Sequence, residues 1–243
     1  MRYLVMVVMV AGLAACAAVP QGPLAPPVPV SAGPAPQPTA PQPTATTALG
    51  RFQQVVAQVQ PVAEDLCRQR TRGVPCNYQI ALDTRPGQPA NAFQTLDGAG
   101  RPIIGFTPAL IADARNADEL AFVLGHEAAH HIAGHIPRQQ ETAMTGALLA
   151  GVLASLGGAD EATIRQVQQV GASVGARQFS KEFELEADAL GAEIALLAGY
   201  DPLRGAAFFD RLPDPGDEFL GTHPPNAARR AVVQDTVARL TGR

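Results

Sequence analysis

Residues 116–135, NADELAFVLGHEAAHHIAGH, constrain the fold more than any other stretch of the chain. The pattern reads as one helix: Asn116-Ala-Asp-Glu119 resembles a capping box, and the apolar lead-in ELAFVLG follows at once. The same stretch holds four of the five histidines. At about 100° per residue, His126 and His130 lie about 40° apart and one turn from each other, so both imidazoles can reach one metal ion. Glu127 points aside from them, near enough to serve a water bound to that ion. Two neutral nitrogens, a carboxylate base and the need for one further protein ligand match catalytic zinc chemistry, with one Zn2+ per chain.

The third ligand is not local. His135 nearly completes the pattern HExxHxxGxxH, but that pattern needs Gly at 133 and His at 136, where Ala133 and Ile136 stand. A helix continued through residue 135 turns His135 about 180° from His126, and His131 also faces away. Both are expected at the surface, in a cleft or behind a ligand rather than on the metal. The segment FSKEFELEADALG, residues 179–191, offers carboxylates instead. Glu184 and Asp188 are one helical turn apart and share a face. Glu184 can therefore complete the metal site while Asp188 accepts the free N–H of a ligand histidine and fixes its tautomer. On spacing alone, Glu182, Glu186 and Glu193 compete with Glu184.

The order of motifs narrows this choice. NAF at residues 91–93, NADELAFVLGHEAAH at 116–130, FSKEFELEADALG at 179–191 and THPPNAAR at 222–229 resemble, in that order, the HtpX-like gluzincin zinc metallopeptidases of bacterial envelopes. The likeness implies Glu184 as the third ligand and Asp188 as the carboxylate behind a ligand histidine. It implies His223 and Arg229 close to the active centre, with His223 either stabilising the oxyanion or occupying the metal's open position and holding the enzyme latent. Lys181 stands where an Arg is more usual. The implied fold is α+β and mainly helical, a zincin-like domain with a small sheet of about three short strands and an HExxH helix. The implied work is cleavage of unfolded or misassembled envelope polypeptides, including outer-membrane proteins. Two rivals remain: a lipoprotein chaperone or scaffold whose latent zinc site His223 blocks, and a zinc hydrolase with a non-protein envelope substrate.

The N-terminus fits the same compartment. MRYLVMVVMVAGLAAC carries one early charge, a short apolar run and then small residues, the pattern of a secretory signal rather than a membrane span. Leu13-Ala-Ala-Cys16 resembles a bacterial lipobox, which would make Cys16 the lipidated N-terminus. Ala17, with no Asp there, favours the periplasmic face of the outer membrane over the inner membrane. Cys67 and Cys76 then remain as an even pair in an oxidising compartment, expected to form a disulfide rather than two separate thiols. Residues 20–47 are almost all Pro, Ala, Gln, Thr and Gly, without a charge, and read as an extended tether. The expected organisation is a signal peptide over 1–15, a lipid-anchored disordered linker over 16–48, and a metallopeptidase domain over 49–243. A net charge of −4, with Lys181 the only lysine, gives no basic stripe for nucleic acid. With no tandem-helix repeat after the protease, a self-contained or homo-oligomeric enzyme is expected.

Within the domain, apolar residues from Leu49 to Leu66 fall at helical spacing, with Pro61 as an expected kink. Strands are predicted over 77–82, 91–96 and 102–106, and an extended peptide substrate is expected to add at 103–106, taken as the sheet's exposed edge. Thr107-Pro108 reads as a helix start, and further helices are predicted near 138–156, 160–176, 181–198, 202–211 and 225–240. Residues 142–159 carry no charge, but Gly and Ala thin their hydrophobicity, so a helix beside the cleft is favoured over a membrane span.

Overall fold

The computed structural model describes residues 45–178, 180–214, 216 and 223–242. The expected signal, Cys16 and most of the Pro-rich tether lie outside the described residues, as does Thr222 of the THPP segment. The first element, α1 (Ala45–Arg70), continues through Pro61. Phe52, Val55, Val59, Ala63 and Leu66 are buried along it at three- and four-residue spacing, so one stripe of α1 faces the core. A disulfide between Cys67 and Cys76 closes the turn that leaves α1, with the Cα atoms 5.7 Å apart. Closing so short a loop contributes about 2–3 kcal/mol in the chain-entropy account.

Three strands follow: β1 (Gln79–Leu82), β2 (Ala92–Leu96) and β3 (Pro102–Phe106). Their order is β1-β3-β2, with β1 parallel and β2 antiparallel to β3. This corrects the expectation that residues 103–106 form an edge. Both sides of β3 are taken by neighbouring strands, and Ile104 and Phe106 are buried, so no backbone there is free to pair. The edge available beside the cleft is β2. Asn91 O accepts from Thr107 N and Asp97 N donates to Arg101 O, each at 2.9 Å. In an antiparallel ladder this fixes the alternation: Phe93 and Thr95 turn their peptide groups toward β3, whereas Ala92, Gln94 and Leu96 turn theirs outward.

Local capping starts the next two helices. Thr107 accepts from Leu110 N at 3.3 Å and Pro108 opens α2 (Pro108–Asp113). Asn116 accepts from Glu119 N at 3.0 Å and opens α3 (Ala117–Ile132). The capping box is only half made. The Glu119 carboxylate accepts from Arg115 N and from both terminal nitrogens of Arg211, all at 2.8 Å, instead of from Asn116. Asp118 is likewise buried against Arg204. Those arginines belong to α7 (Pro202–Gly205) and the 3-10 turn 206–211, two pieces where one helix is predicted.

The remaining helices are α4 (His135–Leu156), α5 (Glu161–Arg177), α6 (Ser180–Leu197) and α8 (Asn226–Thr241). Among the described residues no helix is long and apolar enough to cross a membrane. α4 and α5 form a hairpin, while α6 lies across α3. The two backbones nearly touch at Gly125 and Gly191. A Cβ on Gly191 would stand 2.7 Å from His126 N and 2.8 Å from His126 Cα, and one on Gly125 would stand 2.7 Å from Gly191 O.

Because these neighbours are backbone, they cannot rotate away as a side chain would. Gly191→Ala should therefore push α6 off α3, costing about 1–3 kcal/mol of stability. The urea midpoint should fall with little change in slope. An unchanged midpoint would mean that the crossing is slack.

Candidate metal centre

The crossing brings two short stretches of sequence to one point. His126 and His130 project from the same face of α3, and Glu184 from α6. The two Nε2 atoms are 3.0 Å apart. Glu184 Oε2 is 3.6 Å from His126 Nε2, and its Oε1 is 3.4 Å from His130 Nε2. One donor atom from each residue lies within 4.8 Å of the others, an arrangement that can hold a metal ion. The rival carboxylates are engaged or turned elsewhere. Glu182 is exposed, Glu186 pairs with His135 and Arg138, and Glu193 meets Arg70.

Behind the ligands sits a charged clamp. Asp188 is fully buried, and its Oδ1 is 2.9 Å from His126 Nδ1. A carboxylate only accepts, so Nδ1 carries the proton and Nε2 is left with its lone pair toward the metal point. Arg229 from α8 grips Asp188 through two hydrogen bonds of 2.7 Å, and its guanidinium lies 3.9 Å over the Phe209 ring. Arg229 lies at the centre, holding Asp188 and also reaching to 3.4 Å from Glu184 Oε2. His223 is half exposed at the mouth, with Nδ1 3.3 Å from Glu184 Oε2. The site opens into a cleft of about 650 Å³, lined by the β2 edge and by Phe122, Phe183, Phe208 and Phe209.

The model of peptidase family M48 matches residues 51–237. The chain belongs to that family. It is 26% identical over 171 residues to the metalloprotease LoiP of Escherichia coli K12, a stretch covering 68% of this chain and 64% of LoiP. It is 30% identical over 135 residues to the mitochondrial metalloendopeptidase OMA1 of Arabidopsis thaliana, covering 54% of this chain and 27% of OMA1. The match therefore spans less than two thirds of either relative.

His135 lies behind a ligand, one of the expected places, but reaches it by a different path than a continued helix. A continuous helix would turn His135 away from the metal point, but α3 ends at Ala133 and Gly134 adopts a left-handed conformation, φ 66°. The chain turns, α4 begins, and His135 swings back under the site. It is buried, stacked on Phe183 at 4.6 Å, with Nδ1 2.8 Å from His130 Nδ1 and Nε2 3.2 Å from Glu186. The proton order follows: His130 Nδ1–H donates to His135, and His135 Nε2–H donates to Glu186, leaving His130 Nε2 free for a metal. His135 thus supports His130 as Asp188 supports His126. Gly134 was the available sequence cue, since only glycine adopts this backbone without penalty. His131 is buried and donates to Pro75 O at 2.7 Å, tying the disulfide loop to α3.

The electrostatics favour the metal-ready forms of His130 and Glu184, and oppose that of His126. Burial, reinforced by His126, lowers His130 to about 3, so it is neutral at pH 7. Burial opposes ionisation of Glu184, but the hydrogen bond from His223 and the nearby His126, His130 and Arg229 outweigh it and hold Glu184 at about 2. Burial likewise opposes protonation of His126, yet Asp188 overcomes it and raises the imidazole above 6.5. Glu127 is desolvated by burial and sits near Glu184, which lifts it to about 7 against the pull of His126 and Arg229.

Asp188→Asn should therefore weaken metal binding about 10- to 100-fold, read by chelator competition. It should also lower stability by about 3 kcal/mol, because buried Arg229 loses its bidentate anion and keeps only the longer contact to Glu184. Protons compete with metal at His126, so wild-type affinity should fall as pH drops through the raised His126 pKa. In the Asn variant that fall should move to lower pH.

Proposed function

We propose that this chain is a zinc-dependent endopeptidase of the bacterial cell envelope, lipid-anchored through Cys16 at the periplasmic face of the outer membrane, that cleaves unfolded or misassembled envelope polypeptides. The observation that carries the catalytic part is the juxtaposition of a His, His, Glu donor set with a buried carboxylate, Glu127, along a cleft that has a free strand edge. Three donors of this kind leave an open position, as catalytic rather than structural zinc sites do. His126, His130 and Glu184 would hold a zinc ion, which would supply Lewis-acid activation of a water and of the scissile carbonyl.

The chain's own residues perform the rest. Glu127, with a pKa near 7, accepts the proton of the attacking water and returns one to the leaving amine. Asp188 and Arg229 keep His126 in one tautomer and orientation. His223 at the mouth is placed to meet the developing oxyanion. An extended polypeptide adds to β2, pairing with the outward peptide groups of Ala92 and Leu96 and with the Gln94 carbonyl, while the Gln94 N–H is held by the Glu127 carboxylate. Strand addition requires segments with unsatisfied backbone groups, so unfolded chains are selected over folded ones. Membership of M48 and the resemblance to LoiP support the peptidase assignment, and the lipobox pattern supports the location.

Glu127→Gln should retain zinc and lower the turnover of an unfolded outer-membrane protein by about 10²- to 10⁴-fold. Unreduced cleavage by that variant would overturn the mechanism. If zinc stays bound but the wild type cuts no polypeptide, the scaffold reading blocked by His223 replaces this one. Ala92→Pro removes one outward N–H at the first position of β2 without breaking the β2–β3 ladder. It should raise KM for unfolded protein and leave zinc content unchanged.

A further inference from the structure

The α4–α5 hairpin presents an apolar face that the catalytic reading does not use. Residues 142–159 contain no Asp, Glu, Lys or Arg. The inner faces of the hairpin are closed by glycine: a Cβ on Gly146 would lie 2.2 Å from Gly171 O, and one on Gly175 would lie 2.2 Å from Thr142 O. Backbones this close leave no room for large side chains between the helices, so the leucines turn outward. Met144 is 73% exposed, Leu148 67%, Leu149 59%, Leu153 61% and Leu156 81%. With Val152 they recur at helical spacing, forming one stripe roughly 18 Å long on α4. Contiguous apolar surface of this kind marks an interaction site.

We infer that this stripe is a lipid-docking surface, by which the domain lies against the membrane that carries its anchor. Two observations favour lipid over a protein partner. Residues 17–44 span at most about 100 Å even when fully extended, so a domain tethered at Cys16 never leaves the vicinity of the bilayer and meets it at high effective concentration. No described helix can cross a membrane, so contact with that bilayer takes the form of shallow burial of one face in the interface. The proximity argument rests on the anchoring reading given above. With no basic cluster on the stripe, docking is driven by apolar burial and needs no anionic headgroup.

The position of the hairpin gives this a consequence. α4 starts at the cleft, where His135, Ile136 and Gln139 form part of the wall. Met144 follows Ile136 by about 12 Å along the helix axis. Docking the stripe therefore holds the cleft beside the lipid surface and favours polypeptide segments stalled there over those free in solution.

The test uses the full mature lipidated chain on phosphatidylcholine vesicles. Ser155→Cys places a single free thiol beside the stripe for a nitrobenzoxadiazole label, and Gln54→Cys on the exposed side of α1 is the control. Vesicles containing doxyl-labelled lipid should quench the label at 155 and not the one at 54, with no loss in high salt. Adding Leu148→Gln and Leu153→Gln should abolish quenching at 155 while the protein still floats with the vesicles and keeps its helix content. Flotation with an unquenched label at 155 in the otherwise unaltered chain overturns docking and leaves the anchor standing. If that protein is also a dimer that the two Gln substitutions split, the stripe joins two copies instead. A chain that does not float overturns both the anchor and the docking.

Discussion

The glycine crossing of α3 and α6 is the constraint on which the metal site depends. Gly125 precedes His126, and Gly191 lies one turn after Asp188, so the backbone contact sits directly beneath the ligands. Separating the helices by the width of a methyl group would draw Glu184 away from both imidazoles and lengthen the 2.9 Å contact between Asp188 and His126. Donor geometry in a metal site tolerates only tenths of an ångström. Close packing of glycine against backbone is thus the structural origin of the chemistry, although neither glycine touches the reacting atoms.

Around that crossing, the chain places its anions beside arginine. Asp118 meets Arg204, Glu119 meets Arg211, and Asp188 meets Arg229. A buried carboxylate is costly unless paired and fully hydrogen-bonded, and the planar fork of Arg satisfies both oxygens at once. The pairs at Asp118 and Glu119 lock the start of α3 to the segment 202–211, while the pair at Asp188 locks α8 to the middle of α6. Each ion pair therefore positions an element of the site. Glu127 lacks such a partner, and its raised pKa follows from that difference.

Much of the site was legible along the chain because helical side chains repeat on a local period. The His126/His130 pair, the Glu184/Asp188 face, the Thr107 and Asn116 caps and the span of β3 all follow from spacing within about one turn or one strand. His135 departs from the angle a continuous helix would give it, because Gly134 interrupts that helix. The choice among Glu182, Glu184, Glu186 and Glu193 came from motif resemblance, since angular spacing alone does not say which face of α6 meets α3.

What the sequence by itself determined is the His126/His130 pair, the shared face of Glu184 and Asp188, and the charge-free character of residues 142–159. Each is a property of neighbours within a few residues, where bond geometry fixes direction. The tertiary structure decided the rest. It put β3 in the centre and β2 at the edge, bent His135 back beneath His130, joined Arg229 to Asp188 and turned the α4 leucines outward. These depend on which backbone approaches which, from the β2–β3 pairing and the turn at Gly134 to the α4–α5 contact at Gly146 and Gly171 and the reach of Arg229 to Asp188 across 41 residues. No local period in the sequence encodes that distance.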